Sequence, residues 1–268
     1  MTTLHHLDAG TMRPPGVGWA NAAGRIANHV IAIELPSGDL ALIDTGIGSA
    51  ARREPRKYLG PAPGTVFRPD RDPSGSVLAQ LEAMGRSPGD VRHVLLTHLD
   101  GDHASGLADF PDATVHVHRA ERAAAARPSP KERGRFVAAD WAHGPNWSEL
   151  ETSGGGEFER IPCREVEGLG VEVLALELPG HTRGHTGYAV RRDEGWFVHA
   201  GDAFYHSGAI EPGARQSRFF GFFERLIATL PDRLAPNHER LRAAAAREDV
   251  TVVCTHSPEL LERARAGR

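Results

Sequence analysis

The chain has two cysteines in 268 residues, too few for a disulfide framework. Cys163 and Cys254 read instead as reduced thiols of a cytoplasmic protein. Long apolar runs are also missing: no stretch approaches the roughly 20 residues that a membrane span needs. The N-terminus, MTTLHHLDAGTMRPPG, has no basic stretch followed by an apolar one, so no secretory leader is expected. Positive charge is not in excess. Against 35 Asp and Glu stand 31 Lys and Arg, a net charge of −4, which offers no general attraction to nucleic acid or to an anionic membrane. A Walker-type phosphate loop is absent. Hydrophobic residues at 40% and charged residues at 25% are ordinary for a globular chain and exclude a disordered or collagen-like one. What is abundant is histidine, with 15 residues. Histidine is the commonest metal ligand and a frequent proton carrier, so its placement decides the reading.

Arg25–Glu34 and Leu40–Ile43 read as strands on either side of a Ser37-Gly38-Asp39 turn. Residues 48–75, rich in Gly, Pro and Arg, read as a long surface loop. Val77, Leu78 and Leu81 have helical spacing within 73–84, and Gly85 can end that helix. Further strands are expected at Val91–Leu96, Ala113–Val117, Val171–Leu178, Thr186–Val190, Trp196–His199 and Asp249–Cys254. Helices are expected at Ala120–Ala126, Gln216–Leu230, Asn237–Arg247 and Pro258–Ala266. Residues 127–157 read as a loop-rich insertion. Its WAHGPNW stretch (Trp141, His143, Trp147) is either a lid over a pocket or a packed loop. No linker splits the chain, which reads as a single α/β domain over 1–268.

The chemistry gathers at strand ends. Val94–Leu96 runs into Thr97-His98-Leu99-Asp100-Gly101-Asp102-His103, which packs four metal-capable side chains into six residues. Residues two apart in an extended segment point the same way, so His98 and Asp100 can share one ligand set. Gly101 lets the chain turn, so Asp102 and His103 can face a second. Three more segments follow in order: Gly180-His181-Thr182-Arg183-Gly184-His185, then His199-Ala200-Gly201-Asp202, then Val253-Cys254-Thr255-His256.

With the Asp44-Thr45-Gly46 turn, these segments resemble the metallo-β-lactamase superfamily in kind and in order. The resemblance implies a four-layer αββα sandwich with a dinuclear metal site at one edge of its two sheets. It assigns His98, Asp100 and His181 to a first ion, Asp102, His103 and His256 to a second, and Asp202 to a bridge between them. His181 is preferred to His185 because the family uses the first histidine of that segment. Asp44 is expected to orient a ligand rather than to be one. One departure stands out: the usual family core has histidine where this chain has Asp100. With two divalent ions, three carboxylates and a hydroxide the formal charges cancel, whereas a histidine at 100 would leave a positive charge over. A less positive site makes its water less acidic, and oxygen in place of nitrogen favours harder ions. Zinc is the ion the family implies; Mn²⁺ or Fe²⁺ enters because of Asp100.

The implied activity is that of a metal-dependent hydrolase in which a metal-bound hydroxide attacks the carbonyl of a lactone or ester. Asp102 holds or accepts the nucleophile's proton. Tyr205, three residues after Asp202, matches a tyrosine of the lactonase branch whose phenol meets the substrate carbonyl. The alternatives are a thioesterase of the glyoxalase II kind and a diiron redox enzyme of the same fold. A small-molecule substrate is expected, with no nucleic-acid or membrane partner. The oligomeric state stays open, a homodimer among the options.

Overall fold

A computed structural model describes residues 2–211 and 218–267. Its strands form two sheets of six. The first contains β1 (Leu4–Asp8), β2 (His29–Glu34), β3 (Leu40–Ile43), β4 (Val91–Leu95), β5 (Thr114–His118) and β6 (Asn146–Leu150), side by side in chain order. The second contains β7 (Gly156–Phe158), β8 (Ile161–Glu165), β9 (Val173–Glu177), β10 (Thr186–Arg192), β11 (Gly195–His199) and β12 (Val250–Val253), also in order.

The apolar runs explain the layers. Every residue of β3 is buried, as are the first five of β2 and of β10, because these central strands are covered on both faces. Ile31, Ile33, Ala41, Ile43 and Leu95 of the first sheet pack against Val173, Ala175, Tyr188 and Val190 of the second. The other face of the first sheet, with Val30, Ala32, Leu42 and Val94, is covered by Val77 and Leu81 of the helix Val77–Ala83. Ser76 starts that helix by accepting from Ala79 N–H at 3.1 Å. Leu241, Ala244, Leu260 and Ala264, from the helices Leu234–Ala245 and Pro258–Arg265, belong to the core of the second sheet. The result is the αββα sandwich. No helix among the described residues is long and apolar enough to cross a membrane.

Two expectations are corrected. Residues 48–75 are not a continuous loop but hold the short helices Ser49–Arg53, Pro55–Tyr58 and Pro63–Val66 and a 3₁₀ turn Pro73–Gly75. Prolines that look like breakers start three of these turns, where a missing N–H costs nothing. The buried Arg52 straps them together by donating to the carbonyls of Ile47, Asp72 and Gly75. Within 127–157, Asn146–Leu150 is β6, the edge strand beside β5. Trp141 and Trp147 of WAHGPNW pack on the outer core of the first sheet, with the Arg122 guanidinium 4.2 Å above the Trp147 ring. The helix expected from Gln216 runs over Arg218–Ile227; Gln216 and Ser217 lie outside the described residues.

Candidate metal centre

Strand directions bring the histidine-bearing segments together. β3 and β4 are parallel, so the turn at Asp44 and the segment 97–103 leave the first sheet at one edge. In the second sheet β9 and β11 both run opposite to β10, and β12 runs with β11. The segments after β9, β11 and β12, carrying His181, Asp202 and His256, therefore end at one edge too. Thr186 N–H donates to Thr97 O at 2.9 Å and the Tyr188 hydroxyl to Leu96 O at 2.8 Å, which joins the two edges.

At this junction donor atoms of His98, His181 and Asp202 lie within 4.8 Å of one another, as do those of Asp102, His103 and His256. Asp202 faces both sets: Oδ2 is 3.1 Å from His256 Nε2 and 3.7 Å from His181 Nε2, and Oδ1 is 3.4 Å from His103 Nε2. Asp100 Oδ2 lies 2.9 Å from His181 Nε2 and 3.4 Å from His98 Nε2. Asp102 Oδ2 lies 3.4 Å from His256 Nε2 and 3.7 Å from His103 Nε2. All seven residues named from the sequence are thus in one cluster.

The surroundings decide which ring nitrogen faces inward. His103 Nδ1–H donates to Asp44 Oδ2 at 2.8 Å, and His256 Nδ1–H donates to Ala27 O at 2.8 Å. The Thr97 hydroxyl donates to Asp44 Oδ2 at 2.8 Å and so accepts from His98 Nδ1–H at 2.9 Å. Each of these rings therefore turns its Nε2 towards the carboxylates. The Nε2 atoms of His98 and His103 and the Oδ1 of Asp202 are buried and have no hydrogen-bond partner among the described residues. A buried polar atom without a partner is costly. Here three of them converge in a nitrogen and oxygen set of the type that divalent transition ions take, so the residues fit a metal centre.

Charge points the same way. Burial disfavours a charged imidazole at His103, but the carboxylates of Asp202, Asp102 and Asp44 outweigh it and raise the ring well above its ordinary value. His256 is raised, against its burial, by Asp202 and Asp102. Burial acts to raise Asp44, yet the charge and hydrogen bond of His103 hold it below the usual carboxylate range. His181 is different: burial and then the charge of Arg135 lower it to about 4.

His185 takes no place among the inward-facing donors. Its Nε2 accepts from Asp202 N–H at 2.9 Å and its Nδ1–H donates to Leu178 O at 3.0 Å, so the ring positions the Asp202 backbone. Gly201 has φ 55°, and a Cβ there would stand 2.6 Å from His185 Nε2. Tyr205 is 3% exposed; its hydroxyl donates to Asp202 Oδ2 at 2.5 Å and its ring stacks on His256. Burial and then Asp202 push the phenol well above its ordinary value, so it stays protonated as that donor.

Three further residues escape a sequence reading. The buried carboxylate of Glu121 accepts from Leu99 N–H at 3.1 Å and Gly184 N–H at 3.0 Å, tying together the two segments that carry His98 and His181. Its signal is a lone acidic residue in the alanine-rich helix Arg119–Ala126. Asn28 Nδ2 donates to Asp102 O at 2.6 Å. Arg135, from the loop after that helix, has Nη1 3.3 Å from Asp100 Oδ2. Beside the cluster lies a cavity of about 550 Å³ with Asp100, Asp102, His181 and Arg135 at its polar side and Met12, Leu59, Phe67 and Ile227 at its apolar side. Another cleft, of about 600 Å³, sits at the opposite sheet edge between Pro36 and Arg192 and has no histidine on its wall.

Comparison with known proteins agrees with the geometry. The family model described as "Metallo-beta-lactamase superfamily" matches residues 23–256. A probable metallo-hydrolase of Mycobacterium tuberculosis is 35% identical over 268 residues, covering 98% of this chain and 82% of its own. An N-acyl homoserine lactonase of Agrobacterium fabrum is 27% identical over 263 residues, covering 96% of this chain and 93% of its own. A solved N-acyl homoserine lactone hydrolase, with the product N-hexanoyl-L-homoserine at its catalytic metal centre, superposes with a TM-score of 0.71. It is 20% identical and covers 99% of this chain and 96% of its own.

Proposed function

The chain belongs to the metallo-β-lactamase superfamily, and from that premise we propose that it is a metal-dependent hydrolase of lactones or esters working through two divalent ions. The observation that carries this reading is the inward set of buried donor atoms on His98, His103 and Asp202 that have no partner among the described residues. His98, Asp100 and His181 would hold one ion, Asp102, His103 and His256 the other, with Asp202 shared. Zinc is the family's expected ion, and Asp100 favours Mn²⁺ or Fe²⁺ relative to it. Bound there, such ions supply Lewis acidity at the acyl oxygen and make water acidic enough to attack near neutral pH.

The chain's own groups do the rest. Asp102, part-exposed at the cavity, takes the proton of the attacking water and returns it to the leaving alkoxide. Asp44 and Thr97 fix the ring orientations of His103 and His98, and Tyr205 holds Asp202. The apolar wall of Met12, Leu59, Phe67 and Ile227 takes the acyl side of the substrate and keeps water off it. An ester yields an acid and an alcohol; a lactone yields a hydroxy acid. Sequence similarity to an N-acyl homoserine lactonase supports the lactone end of this range.

Metal analysis of purified and reconstituted protein, followed by a panel of lactones, esters and thioesters, tests the reading. Bound divalent metal with turnover of lactones or esters is expected. A chain that holds no metal after reconstitution, or that hydrolyses thioesters alone, overturns it. Asp202→Ala should lower metal content and activity together, because both ligand sets lose a donor.

A further inference from the structure

Arg135 lies in the loop between the helix Arg119–Ala126 and the 3₁₀ turn Ala138–Trp141. Its guanidinium is held from several sides. Nη1 is 3.3 Å from Asp100 Oδ2, 3.2 Å from His181 Nε2 and 3.2 Å from His181 O, to which it donates, while Nη2 donates to Ile227 O. A side chain strapped in this way loses little further freedom when it binds something. It also lines the cavity beside Asp100, Asp102 and His181. Tyr205, the donor expected from the sequence, is not on that wall, and its hydroxyl is engaged by Asp202. The charge count agrees. Asp100 removes one positive charge relative to a histidine at that position, and Arg135 beside it returns that charge at the cavity wall.

We infer that Arg135 is a catalytic residue, donating a hydrogen bond to the acyl oxygen as it gains negative charge. The inference rests on the ester or lactone reading above. The oxygen of the attacking water bonds to the acyl carbon and the carbonyl π pair moves onto its oxygen, where Arg135 meets it without giving up a proton. Collapse restores the carbonyl and breaks the acyl carbon–oxygen bond. The alkoxide leaves with the proton that the water gave up to Asp102. The guanidinium is suited to this because it keeps its charge throughout the working pH range and presents N–H donors.

The test compares metal-loaded wild type, Arg135→Gln and Arg135→Lys. Three quantities are measured: metal content, binding of phenylphosphonate (a tetrahedral anion) by calorimetry, and kcat and KM on an ester or lactone that the wild type hydrolyses. Arg135→Gln should keep its metal, lose about 10²–10³-fold in kcat and change KM by far less. Its phenylphosphonate affinity should fall at least about tenfold, and Arg135→Lys should recover part of both losses. A fully metallated Arg135→Gln with wild-type kcat and anion affinity overturns the inference. So does a loss that disappears once metal is restored, since Arg135 would then only assemble the site. Should Arg135→Gln fail to fold, Arg135→Lys decides: wild-type kcat and anion affinity overturn the proposal, and a loss of both with metal retained supports it. If the wild type hydrolyses no ester or lactone, the underlying reading fails by itself. The phenylphosphonate comparison then still decides whether Arg135 meets a tetrahedral anion.

Discussion

At position 100 a carboxylate stands where the family core has histidine, and Arg135 lies 3.3 Å from it. The carboxylate and the guanidinium together carry the charge of the neutral imidazole they replace. Harder oxygen ligation should show in metal preference. Apo-protein reloaded with single ions is expected to be more active with Mn²⁺ or Fe²⁺ than with Zn²⁺, and Asp100→His should shift the order towards Zn²⁺. Because that variant leaves Arg135 facing an imidazole, Asp100→His with Arg135→Gln should bind each ion more tightly than Asp100→His alone. An unchanged ranking takes Asp100 out of the ligand set. Tyr205 poses the complementary question. Its hydroxyl donates to Asp202 at 2.5 Å, so Tyr205→Phe should change metal affinity by about tenfold or more, the usual size for a group that orients a ligand. Chelator competition measures it, and wild-type affinity would leave Tyr205 as packing against His256.

Among the elements, the helix Arg119–Ala126 has an influence beyond its size. It carries Glu121, whose two oxygens accept from Leu99 N–H and Gly184 N–H and so fix the separation of two ligand-bearing segments. Gly184 is needed there, since a Cβ on it would stand 2.3 Å from Glu121 N. Glu121→Gln turns one acceptor into an NH₂ group facing an N–H. The expected cost is about 1–3 kcal/mol of stability, with weaker metal binding alongside. Denaturant titration and chelator competition check the two effects. Wild-type values in both would show that the carboxylate is not the tie.

For the whole molecule, stability should peak between acid and alkaline limits set by groups outside the ligand cluster. Burial lowers His6 and His116 from 6.5 to about 4, each helped by neighbouring positive rings or side chains. Between those values the unfolded chain binds more protons than the folded one, so stability falls as pH drops from about 6.5 towards 4. Asp140 acts in the opposite sense. Both its oxygens are buried without a partner among the described residues, and burial, then the charge of Asp102, pushes its carboxyl from 3.8 to about 8. The folded state then holds a proton that the unfolded state releases, so this group erodes stability as pH rises towards 8 and adds no further loss above it. Melting the metal-loaded protein across this range should give a maximum near neutrality. In Asp140→Asn the decline on the alkaline side should vanish; if it persists, Asp140 is not its source.

Much of this molecule is legible in the chain itself. The apolar runs of β2, β3 and β10 mark the central strands, because a strand covered on both faces must be apolar on both. The order of HLDGDH, GHTRGH, GD and the late His256 marks the seven residues that the structure gathers into one cluster. Such motifs are readable because each sits at the end of its own strand. Local pattern also misleads: the prolines of 48–75 look like loop residues but start short helices, since only their neighbours show whether the missing N–H matters. The partners of the cluster were decided by tertiary structure. Glu121 and Arg135 are far in sequence from Gly184 and His181, and nothing in AERAAAA or KERGRF states what they meet. Inward aim of the His103 and His256 Nε2 atoms likewise depends on Asp44 and Ala27, brought there by other strands, and that of His98 on its neighbour Thr97 as Asp44 orients it. A sequence orders residues along one dimension, whereas desolvation and hydrogen-bond geometry act between groups that only the packed sheets bring within 3 or so Å.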